Sequence, residues 1–418
     1  MIFLKILIIL VNFLTAQVAC REYFDLDQTR LKNGAFVVAL TADWGSGTEV
    51  GSLLIKNGAS LKFDRKTSFP ALAFKFLDSR LQHLAKEYGF IVKGAYYWDY
   101  SNFIFYFPKG FLEKNSKTLW STIFDHNEVD SIELENIKRE ILRALKKDLN
   151  RKFSRMSVLS LMSPNSSIYS LGMYGSEEDI KSITEKEFND FLKSYVNPLG
   201  AIFVVTGLDN GPLDLVSKEL EKKHPFFRDQ RFNNEVVTTF NVPVRKINYA
   251  RSGGNNSIVR LGFPAVSCTA KDSFVYDVLQ QLLSDDHGFF ALGRSLYVSN
   301  NCSLGGGTME IIIGGLKQTD TGKILDFVFK RLLLLSKNID EDSITLSKQK
   351  LIEKYNAVLS KRDDLVTFVS RASLLYGDPT FVFKYRERVN DVKISEVKKI
   401  LSKLSEQNSY TVLIKLGS

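Results

Sequence analysis

Apolar and polar positions alternate along this chain in two periods. Lys66–Phe90 carries the longest helical one. Phe69, Leu72, Ala73, Phe76 and Leu77 recur at i, i+3, i+4, i+7 and i+8, and Leu81 and Leu84 continue the face. Thr67 or Ser68 is placed to cap this helix, and Pro70 suits its first turn, where a missing N–H costs nothing. Gly34–Asn57 reads as two strands, GAFVVAL and TEVGSLLIKNG, around a Gly-rich turn at Trp44–Gly47. Phe90–Pro108, dense in aromatic and β-branched residues, reads as two more strands joined near Asp99–Asn102. Helices are predicted from about Asn115 to Phe124 and from Ser131 to Asn150. The second keeps Leu134, Ile137, Ile141, Leu142 and Leu145 on one face. A loop at Ser163–Ser167 leads into another helical region.

A helix–strand pair then repeats. Ile183–Gly207 matches Val392–Leu416 at an offset of 209 residues. Phe188, Phe191, Leu192 and Tyr195 align with Val397, Ile400, Leu401 and Leu404; Phe203, Val204 and Val205 align with Val412, Leu413 and Ile414. Position-matched apolar faces over a helix and the strand after it predict a duplicated unit of roughly 200 residues. The polar segment Glu219–Val236 separates the halves. The division is a leader at 1–20, a first repeat at 21–225, a linker at 226–240 and a second repeat at 241–418. The second repeat shows strands around Ile247 and Val259 and a helix at Asp272–Leu283. Gly305–Gly307 follows, as a flexible loop or a plain turn, and then a strand at Met309–Ile313.

Composition narrows the function classes. The chain has 418 residues, 44% hydrophobic and 25% charged, enough for a sizeable core. Its net charge of +9 is spread beside acids, with no clustered basic and aromatic platform, so nucleic acid is not an expected partner. Residues 1–20, MIFLKILIILVNFLTAQVAC, have the form of an export signal. Cleavage after Cys20, a lipid anchor on Cys20 and an uncleaved anchor all remain open. The expected location is the bacterial periplasm or, lipid-anchored, the membrane. Cys268 and Cys302 are either paired or two buried thiols.

Together these features resemble the insulinase family, also called pitrilysin-type or mitochondrial-processing-peptidase-like. RLKNGAFVVAL is similar to the family's first strand. The most specific match is Tyr169–Gly207, YSLGMYGSEEDIKSITEKEFNDFLKSYVNPLGAIFVVTG, a succession of glycine turn, helix, Tyr-x-Asn/Pro turn and apolar strand ending in Gly. NNSIVRLGFPAVSCTAKDSFVYDVLQQLL is similar to the opening of the family's second repeat, and ASLLYGDPTFVFKYRERVNDVKISEVKKIL to its close. The resemblance implies an α+β fold of two homologous repeats, each a mostly antiparallel sheet backed by helices. The repeats would be metallopeptidase-like, ferredoxin-related domains clasped face to face around a cavity.

The family's zinc motif is H-x-x-E-H, with a further Glu ligand downstream. The resemblance places Ala71, Phe74 and Lys75 at the His, Glu and His positions, and Ala144 near the later Glu, with Glu140 one turn before it. Ala and Phe cannot coordinate, and a Lys ammonium repels a metal. No zinc is expected on this chain. The four histidines, His83, His126, His224 and His287, lie far apart. The one other metal arrangement is non-local, through His126 or His287 with acids. In two-chain members of the family, a metal-free partner often grips the substrate backbone with an Arg and a Tyr of its second repeat. The alignment puts Tyr297 and Leu304 at those places, and Arg294 and Tyr297 are the nearest substrate-binding candidates; the alternative is that both decorate a helix end.

The functional expectation is a non-catalytic subunit of an exported peptidase pair. It would close the chamber and help to bind a peptide or unfolded polypeptide for a zinc-bearing homologous partner. The alternative is a peptidase-derived structural or binding protein of the cell envelope, a homodimer or an assembly factor, without a proteolytic role. The chain has no G-x-S-x-G elbow and no Cys/His pair suggesting an independent hydrolase.

Overall fold

The computed structural model describes residues 24–41, 47–58, 66–125, 128–150, 158, 162, 173–207, 210–223, 245–252, 257–316 and 320–417. The leader with Cys20, most of the Trp44–Gly47 turn, the Ser163–Ser167 loop, the 226–240 linker, His126 and His224 lie outside them.

The described strands form two sheets. The first contains β1 (Asp25–Arg30), β2 (Phe36–Thr41), β3 (Thr48–Ile55), β4 (Ile91–Tyr96), β5 (Ser101–Pro108) and β6 (Ala201–Thr206), in the order β1-β2-β6-β3-β5-β4. The second contains β7 (Arg245–Ser252), β8 (Ile258–Ala265), β9 (Ser295–Ser303), β10 (Gly306–Gly314) and β11 (Tyr410–Gly417), in the order β7-β11-β8-β10-β9. In each, the last strand in sequence is inserted next to the first of a five-strand core. It runs parallel to one neighbour and antiparallel to the other: β6 between β2 and β3, β11 between β7 and β8. The remaining pairs are antiparallel.

The helices are α1 (Phe69–Tyr88), α2 (Phe111–Phe124), α3 (Ser131–Asn150), α4 (Glu177–Ser182), α5 (Glu185–Tyr195) and α6 (Asn210–Glu221) in the first repeat. In the second they are α7 (Ser273–Ser284), α8 (Thr321–Asn338), α9 (Glu341–Leu359), α10 (Arg362–Tyr376), α11 (Phe381–Asp391) and α12 (Ile394–Ser405). The matched pair read from sequence is α5–β6 and α12–β11. Even the entry to each helix corresponds. Glu187 accepts from the Thr184 N–H at 2.8 Å and Glu396 accepts from the Lys393 N–H at 2.7 Å, so each satisfies a donor that helix geometry leaves unpaired.

Two helix starts differ from the sequence reading. Neither Thr67 nor Ser68 caps α1: Ser68 already has helical backbone angles (φ −85°, ψ −15°), so its hydroxyl is turned from the first-turn N–H groups. Helix α2 begins at Phe111 and not near Asn115. A side chain from another element caps it, since Glu49 on β3 accepts from the Gly110 N–H at 2.7 Å and the Leu112 N–H at 3.4 Å.

The first sheet is apolar on both faces, which explains its continuous runs FVVAL and AIFVV. One face, with Val37, Leu53, Phe103, Phe105, Phe107, Phe203 and Val205, packs with α1, α2, α3 and α5. The other, with Phe36, Val38, Leu40, Val50, Leu54, Ile202 and Val204, is covered by Leu365, Val366 and Val369 of α10, a helix of the second repeat. The second sheet buries Val259, Leu261, Phe263, Met309, Ile311 and Ile313 against its own helices. Its opposite face is polar, with Arg260 Nε 3.3 Å from Glu310 Oε2 and Asn301 Nδ2 donating to Glu310 at 3.1 Å. Val158 and Met162, from the first repeat, pack there on Leu413.

Cys268 and Cys302 are disulfide-bonded, closing the alternative left open by the sequence. Among the described residues no helix is long and apolar enough to cross a membrane.

The crossed packing is testable at Gly262. A Cβ there would lie 2.0 Å from Val158 Cγ1. Gly262→Ala is expected to cost about 1–3 kcal/mol through overpacking, measured as a lower urea midpoint at unchanged slope.

Candidate functional site

The site is built where α1 crosses α3 beside the open edge of the first sheet. Helix α1 buries Phe69, Leu72, Ala73, Phe76 and Leu77, and this fixes its rotation. Ala71 is then fully buried. Phe74 is turned to β4 and β5, stacked on Tyr96 and on Phe103, each at 5.5 Å between ring centres. Lys75 is turned to α3, where its ammonium meets Glu140 at 2.9 Å and Asp78 at 3.5 Å. Ala144 lies one turn further along α3, half-buried. The structure thus brings Lys75 together with Glu140, the acid singled out near the expected downstream ligand. Burial disfavours the Lys75 ammonium, but the hydrogen bond and charge of Glu140, with Asp78 adding, hold its pKa above the ordinary lysine value.

Among the described residues, strand β4 pairs only with β5 and ends the sheet. Tyr97 N–H donates to Tyr100 O at 2.9 Å across the β4–β5 turn. Hydrogen-bonded pairs alternate in an antiparallel ladder. Val92, Gly94 and Tyr96 therefore turn their backbone groups away from β5, towards the open edge. Gln82 of α1 confirms this direction by donating to Val92 O at 3.0 Å. Gly94 permits the close approach of α1: a Cβ there would meet Asp78 Oδ1 at 2.8 Å and Phe74 at 3.0 Å. Among the described residues, the buried Tyr96 hydroxyl has no hydrogen-bond partner. Desolvation, with the neighbouring Tyr174 phenol adding, pushes its pKa well above the usual range. The sequence reading missed this edge as a site. Its signal was Gly94, an isolated glycine in a strand run, which marks close backbone approach.

The second-repeat candidates lie elsewhere. Arg294 is exposed just ahead of β9, its N–H donating to Gly314 O at 2.8 Å. Tyr297 is 45% exposed within β9, the edge strand of the second sheet. Tyr297 is on a strand, which corrects the helix-end alternative. Leu304 sits in the β9–β10 turn and donates its N–H to Asp99 of the first repeat at 2.8 Å. Gly305 lies in that turn and Gly306–Gly307 in β10. His83 is exposed, and His287 is exposed and stacked on Phe290 at 5.8 Å. Among the described residues no three His, Cys, Asp or Glu gather in a way that could hold a metal.

No protein-family model matches this chain, and no curated protein matches it. Solved structures do. A protease from Helicobacter pylori superposes with a TM-score of 0.78 at 15% identity, over 94% of this chain and 100% of that one. The inactive domain of a peptidase M16 from Pseudomonas fluorescens gives 0.79 at 12% identity, over 94% of this chain and 98% of that one. An M16-like peptidase from Alicyclobacillus acidocaldarius gives 0.78 at 14%, over 94% and 99%. Likeness at these identities establishes the fold.

The sequence resemblance aligns α1 with the helix that carries zinc ligands in insulinase-type peptidases. The residues present do not fit zinc: Ala71 offers no donor, Phe74 is stacked between rings, and Lys75 brings a positive charge already matched to Glu140.

Packing and not the ion pair is expected to hold this place. Phe74→Ala should cost about 3 kcal/mol. Lys75→Met should cost under about 1 kcal/mol, because the pair is partly solvated. Urea unfolding of both variants checks the order. After incubation with zinc and gel filtration, elemental analysis is expected to find no stoichiometric zinc on the chain; one retained equivalent would refute this account of the site. The chain has the fold of the M16, insulinase-type peptidases, and Ala71, Phe74 and Lys75 stand at the positions to which the sequence resemblance assigns that family's zinc motif.

Proposed function

We propose that this chain is a non-catalytic, peptidase-derived protein that binds extended polypeptide along β4. The observation that carries the reading is the juxtaposition at α1. An unpaired strand edge runs beside a motif position whose side chains pack and pair with one another instead of coordinating. Strand addition reads backbone groups and tolerates many sequences, so it suits a peptide or an unfolded polypeptide as ligand. Arg294 and Tyr297, exposed at the edge strand β9 of the second sheet, serve as a separate contact for polypeptide backbone.

In the fuller form of this reading, the protein is exported to the periplasm and closes the chamber of a peptidase pair. The zinc sits on a homologous partner subunit that carries H-x-x-E-H. The inactive M16 domain among the structural neighbours supports the non-catalytic half of this reading. The second reading is a homodimeric binding protein of the cell envelope, anchored through lipid on Cys20 or released by cleavage.

The test uses a fluorescein-labelled unstructured peptide and its analogues N-methylated at alternate residues. Anisotropy is expected to show saturable binding, weakened at least tenfold by N-methylation in one of the two alternating registers. Equal binding of every analogue would remove strand addition from the account. A quenched-peptide assay with a zinc-bearing homologue from the same host separates the two readings. Cleavage faster in the mixture than with the homologue alone selects the paired subunit, and unchanged cleavage selects the binding protein.

A further inference from the structure

We infer that Cys268–Cys302 is a redox-active disulfide, attacked by external dithiols at Cys302 and placed so that Arg371 receives the departing Cys268 thiolate. Three observations carry this. The two residues differ in exposure: Cys268 is 3% exposed, whereas Cys302, on the edge strand β9, is partly exposed. A thiolate from solvent therefore reaches Cys302 first. The Arg371 guanidinium then stands over both sulfurs, with Nη2 3.3 Å from Cys268 Sγ and 3.5 Å from Cys302 Sγ. A neutral disulfide gains little from a cation at that distance, and a thiolate gains much, because the charged sulfur is the form that a guanidinium stabilises. Exchange is faster when the leaving sulfur is the better anion.

The third observation is that the loop does not depend on the bond for its position. Cys268 N–H donates to Ser303 O at 3.1 Å, and Tyr376 O–H donates to Cys268 O at 3.0 Å. These contacts keep the two sulfurs together after reduction, poised to re-form the bond. Arg371 is fixed in turn by α10, whose neighbouring Ser370 hydroxyl donates to Ser52 of the first sheet at 3.0 Å. Its charge also faces the buried Asp277 carboxyl. That group accepts from Asn300 at 2.9 Å and Tyr385 at 3.2 Å and is held above the usual range by desolvation.

The chemistry balances. The attacking thiolate bonds to Cys302 Sγ as the Cys268–Cys302 bond breaks, and the electron pair leaves on Cys268 Sγ. The second thiol of the reagent loses its proton and attacks the reagent sulfur of the mixed disulfide, expelling Cys302. The dithiol loses two electrons and two protons and becomes a disulfide. The protein gains the two electrons, one proton passes to Cys302 and the other to solvent, and Cys268 stays ionised against Arg371. The reduced site reports at the junction of the repeats, because Leu304, two residues after Cys302, is the donor to Asp99.

The experiment treats the full folded chain with glutathione, quenches it with acid and N-ethylmaleimide, and maps the adducts by mass spectrometry. The expected result is glutathione on Cys302 and none on Cys268. Dithiothreitol should then reduce the native protein with its near-ultraviolet circular dichroism retained. Arg371→Met should slow that reduction at least tenfold, and Arg371→Lys should restore most of the rate. Adduct on Cys268, no adduct at all, or reduction only in denaturant overturns the inference, as does an unchanged rate in Arg371→Met. Should that variant not fold, the adduct map of the wild-type chain decides alone.

Discussion

A sheet that is apolar on both faces can leave neither in water, and the first sheet imposes that constraint on the whole molecule. Its own helices cover one face. Leu365, Val366 and Val369 of α10 cover the other, although that helix lies far away in sequence. Each fully buried aliphatic side chain of this kind is worth about 1.5–3 kcal/mol. The first repeat therefore owes part of its stability to the second. The exchange is unequal. The second sheet turns Arg260, Glu310 and Asn301 to the corresponding face, and there the first repeat contributes Val158 and Met162 around the small residue Gly262. Apolar burial holds one side of the junction, and the close fit of Val158 and Met162 against Leu413 and Gly262 holds the other.

The same economy of contacts accounts for the three α1 positions that the resemblance aligns with a zinc motif. A helix that supplies metal ligands must leave polar atoms convergent and unpaired until the ion arrives. Here every side chain at the corresponding places has a protein partner: Ala71 the core, Phe74 two rings, Lys75 a carboxylate. The crossing of α1 and α3 is thus complete without an ion. Beside it, the edge of β4 retains outward backbone groups at Val92, Gly94 and Tyr96. Only the Val92 carbonyl has a described side-chain donor, Gln82.

Much of this was legible in the sequence because it rests on periodicity. The 209-residue offset falls on α5–β6 and α12–β11, and these occupy equivalent places in the two sheets. Helix α1 and the β4–β5 hairpin follow from local spacing; the ion pair of Lys75 with Glu140 does not, because it depends on how α1 crosses α3. What escaped depends on distant atoms. The start of α2 is set by Glu49, some sixty residues earlier and on another strand. The capping role read for Thr67 and Ser68 failed because backbone angles decide capping, and residue type alone does not determine them. Pairing of Cys268 with Cys302 could not be chosen over two buried thiols without knowing that β9 runs past the loop after β8.

The insertion of β6 between β2 and β3 also bears on how the chain reaches this state. Val37 and Leu53 both wait for Phe203. Until that strand is available, β2 and β3 each present an unfilled edge of strongly β-forming residues, and the same vacancy recurs between β7 and β8 until β11 arrives. Non-local closure of this kind is slow, and open edges invite intermolecular pairing. A nascent chain of this topology has a long interval in which it is better kept from its own kind than hurried to collapse.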